Sequence, residues 1–215
     1  MISPRSGTLA AIFVGLAGLL LVASPVAAQT SQPKPGSDKA KVVDLKTFSF
    51  PLASTWESTK PGSQMRLAQV NLPGPDAKTK AAELVVFHFP GSGGSVDANL
   101  QRWKGQFKKP AARKEEDFAK TQKTTADTLP ITILEVHGSF PGGGMGPRPA
   151  DPIVDARMYA VIIETSKGPY FIKVTGPAAT VDHHRKALEA MVAGVKRGAA
   201  EPKAKPKPPT SRPRG

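Results

Sequence analysis

Apolar and polar positions follow changing periods along the chain, and each period predicts an element. Phe48–Trp56 reads as a first strand or extended segment. From Gln64 to Leu72 the pattern places Ala68, Val70 and Leu72 on one face, and Pro73-Gly74-Pro75 closes it. Glu83–Phe89 contains Leu84-Val85-Val86-Phe87-His88-Phe89, apolar on both faces as a central strand requires. That run ends at Pro90-Gly91-Ser92-Gly93-Gly94. The period then lengthens. Ser95 is a suitable N-cap, and Val96, Leu100, Trp103 and Phe107 recur at helical spacing to form one stripe. Arg102, Lys104 and Lys108 fall off that stripe.

Strand periodicity returns afterwards. Phe118–Thr125 predicts a short strand, and Thr128–Phe140 predicts another through Ile131, Ile133, Leu134 and Val136. Pro141-Gly142-Gly143-Gly144-Met145-Gly146-Pro147 predicts a mobile loop. Arg157–Thr165 and Pro169–Thr175 predict a hairpin around Ser166-Lys167-Gly168, with Tyr159, Val161 and Ile163 opposite Tyr170, Ile172 and Val174. A last helix, capped by Thr180 and ending near Gly198, presents Val181, His184, Leu188, Met191 and Val195. Strands joined by short turns make a mostly antiparallel sheet. Two amphipathic helices must cover it, so the expected class is α+β.

The ends of the chain differ from this middle. Arg5, the uncharged apolar stretch Leu9–Val22 and the run Val26-Ala27-Ala28 read as a secretory signal over residues 1–28. The apolar stretch is about 14 residues, short of the roughly 20 that span a bilayer. Export to the periplasm or beyond is the expectation, with no transmembrane segment after cleavage. Residues 29–47 are rich in Ser, Pro and Lys and read as a flexible linker. Residues 48–197 hold a single domain, and residues 198–215 read as a disordered basic tail of Pro and Lys. The chain has no Cys, so neither disulfides nor a lipid anchor on Cys is available.

The 215 residues carry a formal charge of +13. Residues 197–215 hold six basic groups and one acidic group. Outside the cytoplasm such a charge meets anionic lipid, wall polymers or other polyanions rather than nucleic acid.

Candidate chemistry is sparse. Gly91-Ser92-Gly93-Gly94-Ser95 between a strand and a helix resembles an anion cradle, but it matches neither a P-loop, nor G-x-G-x-x-G, nor a nucleophile elbow. A structural turn is the simpler reading. His183 and His184 are adjacent and diverge on a helix, while His88 and His137 lie in separate strands, so no metal set is expected. Asp182 beside His183 does not make a triad without a marked nucleophile. Glu115-Glu116-Asp117 reads as a solvated patch, with a divalent-cation site as the alternative. Trp103 among Arg102, Lys104, Lys108 and Lys109 belongs to the buried stripe. The expectation is a protein without catalytic residues, cofactor or metal.

The strings Met65-Arg66-Leu67-Ala68, Glu83-Leu84-Val85-Val86-Phe87, Asn99-Leu100-Gln101-Arg102-Trp103-Lys104-Gly105-Gln106-Phe107 and Phe171-Ile172-Lys173-Val174-Thr175-Gly176-Pro177 resemble a group of uncharacterised secreted bacterial proteins typical of planctomycetes. The element order also resembles the PsbP-like fold, an antiparallel sheet between helices. That resemblance implies a binding or assembly factor. Asn99, Arg102 and Gln106, with Gly91, Gly93 and Gly94, form the row expected to face a partner; bonding of this row to nearby loop backbone is the alternative. The expected function is a non-catalytic envelope module that binds an envelope protein or anionic polymer, with the tail as an electrostatic tether. A structural wall-associated protein and a hydrolase with a scattered site are the competing readings.

Overall fold

The computed structural model describes residues 41–91, 93–142 and 151–202. In chain order, β1 (Val42–Asp44), β2 (Phe48–Pro51), β3 (Glu57–Thr59), β4 (Arg66–Leu72) and β5 (Ala82–His88) precede α1 (Val96–Lys104) and the short α2 (Glu115–Phe118). Then come β6 (Ala119–Ala126), β7 (Leu129–Phe140), β8 (Ile153–Thr165) and β9 (Gly168–Pro177). Helices α3 (Ala178–His183) and α4 (Arg185–Ala193) and strand β10 (Lys196–Arg197) complete the described elements.

The β8–β9 hairpin organises the main sheet. Gly168 takes φ +98°, which closes the turn without strain. The register then pairs Tyr159 with Val174, Val161 with Ile172 and Ile163 with Tyr170, as the alternation requires. β5 adds to β9, followed by β4 and β3; β7 adds to β8, followed by β6. Every neighbouring pair is antiparallel. The class is α+β, a mostly antiparallel sheet with helices packed on it.

Strand alternation divides the core in two. Tyr159, Val161, Ile163, Ile172 and Val174 pack with Val181, Leu188, Met191 and Val195 of the C-terminal region. Met158, Ala160, Ile162 and Phe171 point the other way and pack with Trp103, Phe107 and Phe118. Trp103 meets Phe171 edge-on, with ring centroids 5.6 Å apart. Each such buried side chain contributes about 1.5–3 kcal/mol of apolar transfer energy. The sheet is thus covered on both faces, by α1 and α2 on one side and by α3 and α4 on the other.

Several boundaries differ from the sequence pattern. β1 lies inside the 29–47 segment read as a linker: Val43 and Leu45 pack against the core, and buried Thr47 shares a 3.1 Å hydrogen bond with the Tyr170 hydroxyl. Phe118 closes α2 rather than opening a strand, and Phe107 lies past the end of α1. The last helical region starts at Ala178 and stops at Ala193. Thr180 sits inside it and donates to the Lys80 carbonyl at 2.7 Å instead of capping. Lys196 and Arg197 leave the helix to pair with Ser49 and Phe48 of β2. The predicted stripe is nevertheless buried from Val181 to Val195.

Ordered contacts also run past residue 198. Gly198 N–H donates to the Thr47 carbonyl at 2.8 Å, and Glu201 accepts from Ser166 N–H at 2.7 Å and from its hydroxyl at 2.8 Å. The signal segment, residues 29–40 of the linker, residues 143–147 of the glycine-rich loop and residues 203–215 lie outside the described residues. No helix among the described residues is long and apolar enough to cross a membrane.

Candidate functional site

Helix α1 begins as its sequence dictates. Ser95 is extended and its hydroxyl accepts from Ala98 N–H at 3.2 Å. Asn99 is buried. Its amide donates to the carbonyls of Gly93 at 2.7 Å and Ser95 at 2.8 Å, and its Oδ1 accepts from Arg102 at 2.5 Å. Both amide hydrogens are therefore used to pin the preceding loop. Gly94 has φ +74°, and Gly93 packs against Phe171 and Pro169. Gly91, at φ +70°, stands in open space. The expected partner-facing row is thus split: Asn99 is a loop clamp, with Gly93 and Gly94 shaping the turn it holds. Arg102 is exposed, and half-buried Gln106 accepts from Lys173 Nζ at 3.0 Å.

A cleft of about 530 Å³ opens between the segment that carries α2 and the polar strand residues of the face that α3 and α4 cover. Pro110, Ala112 and Arg113, α2 residues Glu116, Asp117 and Phe118, and the strand residues Lys120, Glu135, His137 and Arg157 line it. The sheet register builds its floor. Lys120 pairs with Glu135, Glu135 with Tyr159, and His137 with Arg157. Glu135, His137 and Arg157 take positions that apolar residues hold on the same face further along β7 and β8.

His137 is the meeting point. Its Nδ1 lies 2.7 Å from an Arg113 nitrogen and 3.0 Å from an Arg157 nitrogen. Guanidinium groups only donate, so Nδ1 is the acceptor. Nε2–H then donates to Asp155 Oδ1 at 2.7 Å. The imidazole is therefore held as its Nε2–H tautomer.

A second network flanks it. Glu135 accepts from both terminal nitrogens of Arg185, at 2.8 Å from the first, and lies 3.6 Å from Arg157. The Arg185 hydrogen bonds hold the Glu135 carboxyl below the usual glutamate range and raise Arg185 in turn. Arg157 Nε lies 2.8 Å from Asp182, a close ion pair without hydrogen-bond alignment. Burial pushes the neighbouring Tyr159 hydroxyl up to about 12, and the Glu135 charge adds to this.

The two cleft arginines are not equivalent. Arg157 is neutralised by Glu135 and Asp182. Among the described residues Arg113 has no carboxylate within salt-bridge distance, and its Nε is buried without a hydrogen-bond partner. A guanidinium with donors to spare in an open cleft is suited to an anionic oxygen. Arg113, Arg157, Arg185 and the β7 pair Glu135 and His137 come from four separate segments, so the spacing between them announces nothing. The one available sign was Glu135 and His137 interrupting the apolar alternation of β7.

The remaining candidates resolve into structure. His184 is buried, accepts from Trp56 Nε1 at 3.1 Å and bonds the Pro73 carbonyl at 2.8 Å. His88 stacks on Tyr170 with centroids 3.9 Å apart. Asp182 faces Arg157 rather than His183. Glu115 pairs with Lys104 and Lys109. Among the described residues no group of His, Asp and Glu is arranged to hold a metal.

No family model matches the chain, and no curated protein matches it. The resemblance to secreted planctomycete proteins therefore rests on the residue strings alone. The chain is distantly similar to several solved structures. A cyanobacterial PsbP from Synechocystis is 9% identical at TM-score 0.44, covering 78% of this chain and 98% of that one. LpqN, involved in cell envelope biogenesis of Mycobacterium tuberculosis, is 11% identical at TM-score 0.40, covering 74% and 86%. A Pseudomonas aeruginosa protein of unknown function is 13% identical at TM-score 0.42, covering 77% and 99%.

Proposed function

We propose that this protein is an exported, non-catalytic binding module of the cell envelope that takes an anionic group of its partner into the Arg113–His137–Arg157 cleft. The observation that carries this reading is Arg113: a guanidinium in an open cleft, bonded to the His137 imidazole and, among the described residues, unmatched by a carboxylate. Glu116 and Asp117 at the rim add acceptors. An acidic polymer or peptide that also bears donor groups suits this mixture better than a bare polyanion.

The same geometry argues against acid–base catalysis at His137. Its Nδ1 is already engaged by two guanidinium groups, so it does not stand free to meet a substrate. Glu135 is held ionised by Arg185. Both groups position charge.

The basic residues at 203–215 serve as a long-range electrostatic tether to the same surface. The test is co-sedimentation of the mature protein with envelope material across a salt series, with and without residues 203–215. The tail deletion is expected to remove the salt-sensitive component only. Arg113→Gln should remove the salt-tolerant component and leave folding intact. Salt-tolerant binding that survives Arg113→Gln overturns the cleft assignment. Binding that disappears with the tail alone favours a wall-associated protein in which the tail does the work.

A further inference from the structure

A second cation pair lies on the α1 side of the sheet, among residues that do not line the cleft. Lys173 sits on β9 opposite Val85 of β5 and Ala160 of β8, beneath α1. Its ammonium rests 5.6 Å from the Trp103 ring centroid and donates to Gln106 Oε1. Arg102, one turn earlier on α1, is close enough to repel it. Burial and this repulsion push Lys173 down to about 8.

The pair lacks a counter-charge. Among the described residues neither Arg102 nor Lys173 has a carboxylate within salt-bridge distance. Glu83, on the same face of β5, is engaged by Arg66 at 3.0 Å and by Gln69 at 2.7 Å. Arg102 uses one nitrogen on Asn99, and the residue as a whole is exposed. Gln106 must turn its oxygen to the lysine, which only donates, so its amide hydrogens remain for another acceptor. Lys173, its Gln106 partner and the exposed Arg102 thus bring two cations and an amide donor to one side of α1 without a carboxylate among the described residues.

We propose that Arg102, Lys173 and Gln106 form a subsite for a small oxyanion, a phosphate or carboxylate carried by a ligand. The anion bridges guanidinium and ammonium through charge-assisted hydrogen bonds, with the Gln106 amide as the neutral third donor. Asn99 fixes the Arg102 guanidinium from behind.

The test follows lysine side-chain NMR signals in the mature protein at constant ionic strength, with inorganic phosphate, acetate or chloride. The Lys173 signal is expected to shift saturably with phosphate or acetate and not with chloride, and its ionisation midpoint to rise when the anion binds. The responding anion identifies the source chemistry. Arg102→Gln should weaken that response about tenfold, the loss of one charged hydrogen bond. It should also raise the Lys173 midpoint without anion, since the repelling charge is gone. Arg113→Gln should change neither, which separates this site from the cleft. A Lys173 response no larger than that of exposed lysines, or one unchanged in Arg102→Gln, overturns the proposal.

Discussion

Lys173 shows how a single side chain links stability to pH. A lysine whose folded-state value falls to about 8 from 10.5 binds its proton more tightly when unfolded. Stability therefore rises with pH between those values, and at neutral pH the charged amine is a burden on the fold. Lys173→Met should stabilise the protein at pH 7 by on the order of 2 kcal/mol, partly offset by the stranded Gln106 oxygen. Urea unfolding at pH 7 and pH 10 checks this, because the advantage should shrink at the higher pH. Glu135 acts in the opposite sense. Its folded-state value lies below 4.5, so its contribution is present above that pH and lost as pH falls through the folded value. Glu135→Gln should flatten the acid limb of the stability–pH curve. Lysines were legible in the sequence only as positive charge. Which one is half-buried depends on strand parity and on the helix packed above it, and neither shows in composition.

At the scale of elements, local signals that carry their own geometry were readable. The hairpin register followed from alternation, and the start of α1 followed from Ser95. Elements that exist only through distant partners were not. β1 and β10 are three and two residues long, and both form because β2 offers them edges. Nothing within Lys196-Arg197 distinguishes a strand from the end of a helix. The clamp at Asn99 is an intermediate case: its polarity suggested a site, and its burial makes it a brace. Asn99→Ala should cost about 2 kcal/mol by removing the side-chain bonds to the Gly93 and Ser95 carbonyls and to Arg102, whereas Ser95→Ala should cost about 1 kcal/mol. Thermal melts of the two variants would rank them. Equal effects would mean that the loop holds without the clamp.

For the whole molecule, the sheet covered on both faces was foreseeable from two amphipathic helices and a run of strands. The cleft was not, since it draws on β6, β7, β8, α2 and the segment before α2 at once. The extent of the folded unit also exceeds the composition boundaries. Truncation to residues 41–202 should leave unfolding unchanged. Removal of residues 198–202 in addition should lower stability by about 1–2 kcal/mol, through loss of the Glu201–Ser166 and Gly198–Thr47 bonds. Denaturant midpoints of the two truncations would show the difference.

The small sheet β1-β2-β10 has a mechanical consequence. Val42 lies beside Pro51 at one end of β2, and Arg197 lies beside Phe48 at the other. Both outer strands run antiparallel to the one between them. Tension applied through the two ends of the folded unit therefore pulls along the strands in opposite directions. The ladder is loaded in shear, so its hydrogen bonds must fail together rather than unzip one after another. A protein stretched between two anchoring points would meet the force first at this patch, with the main sheet shielded behind it.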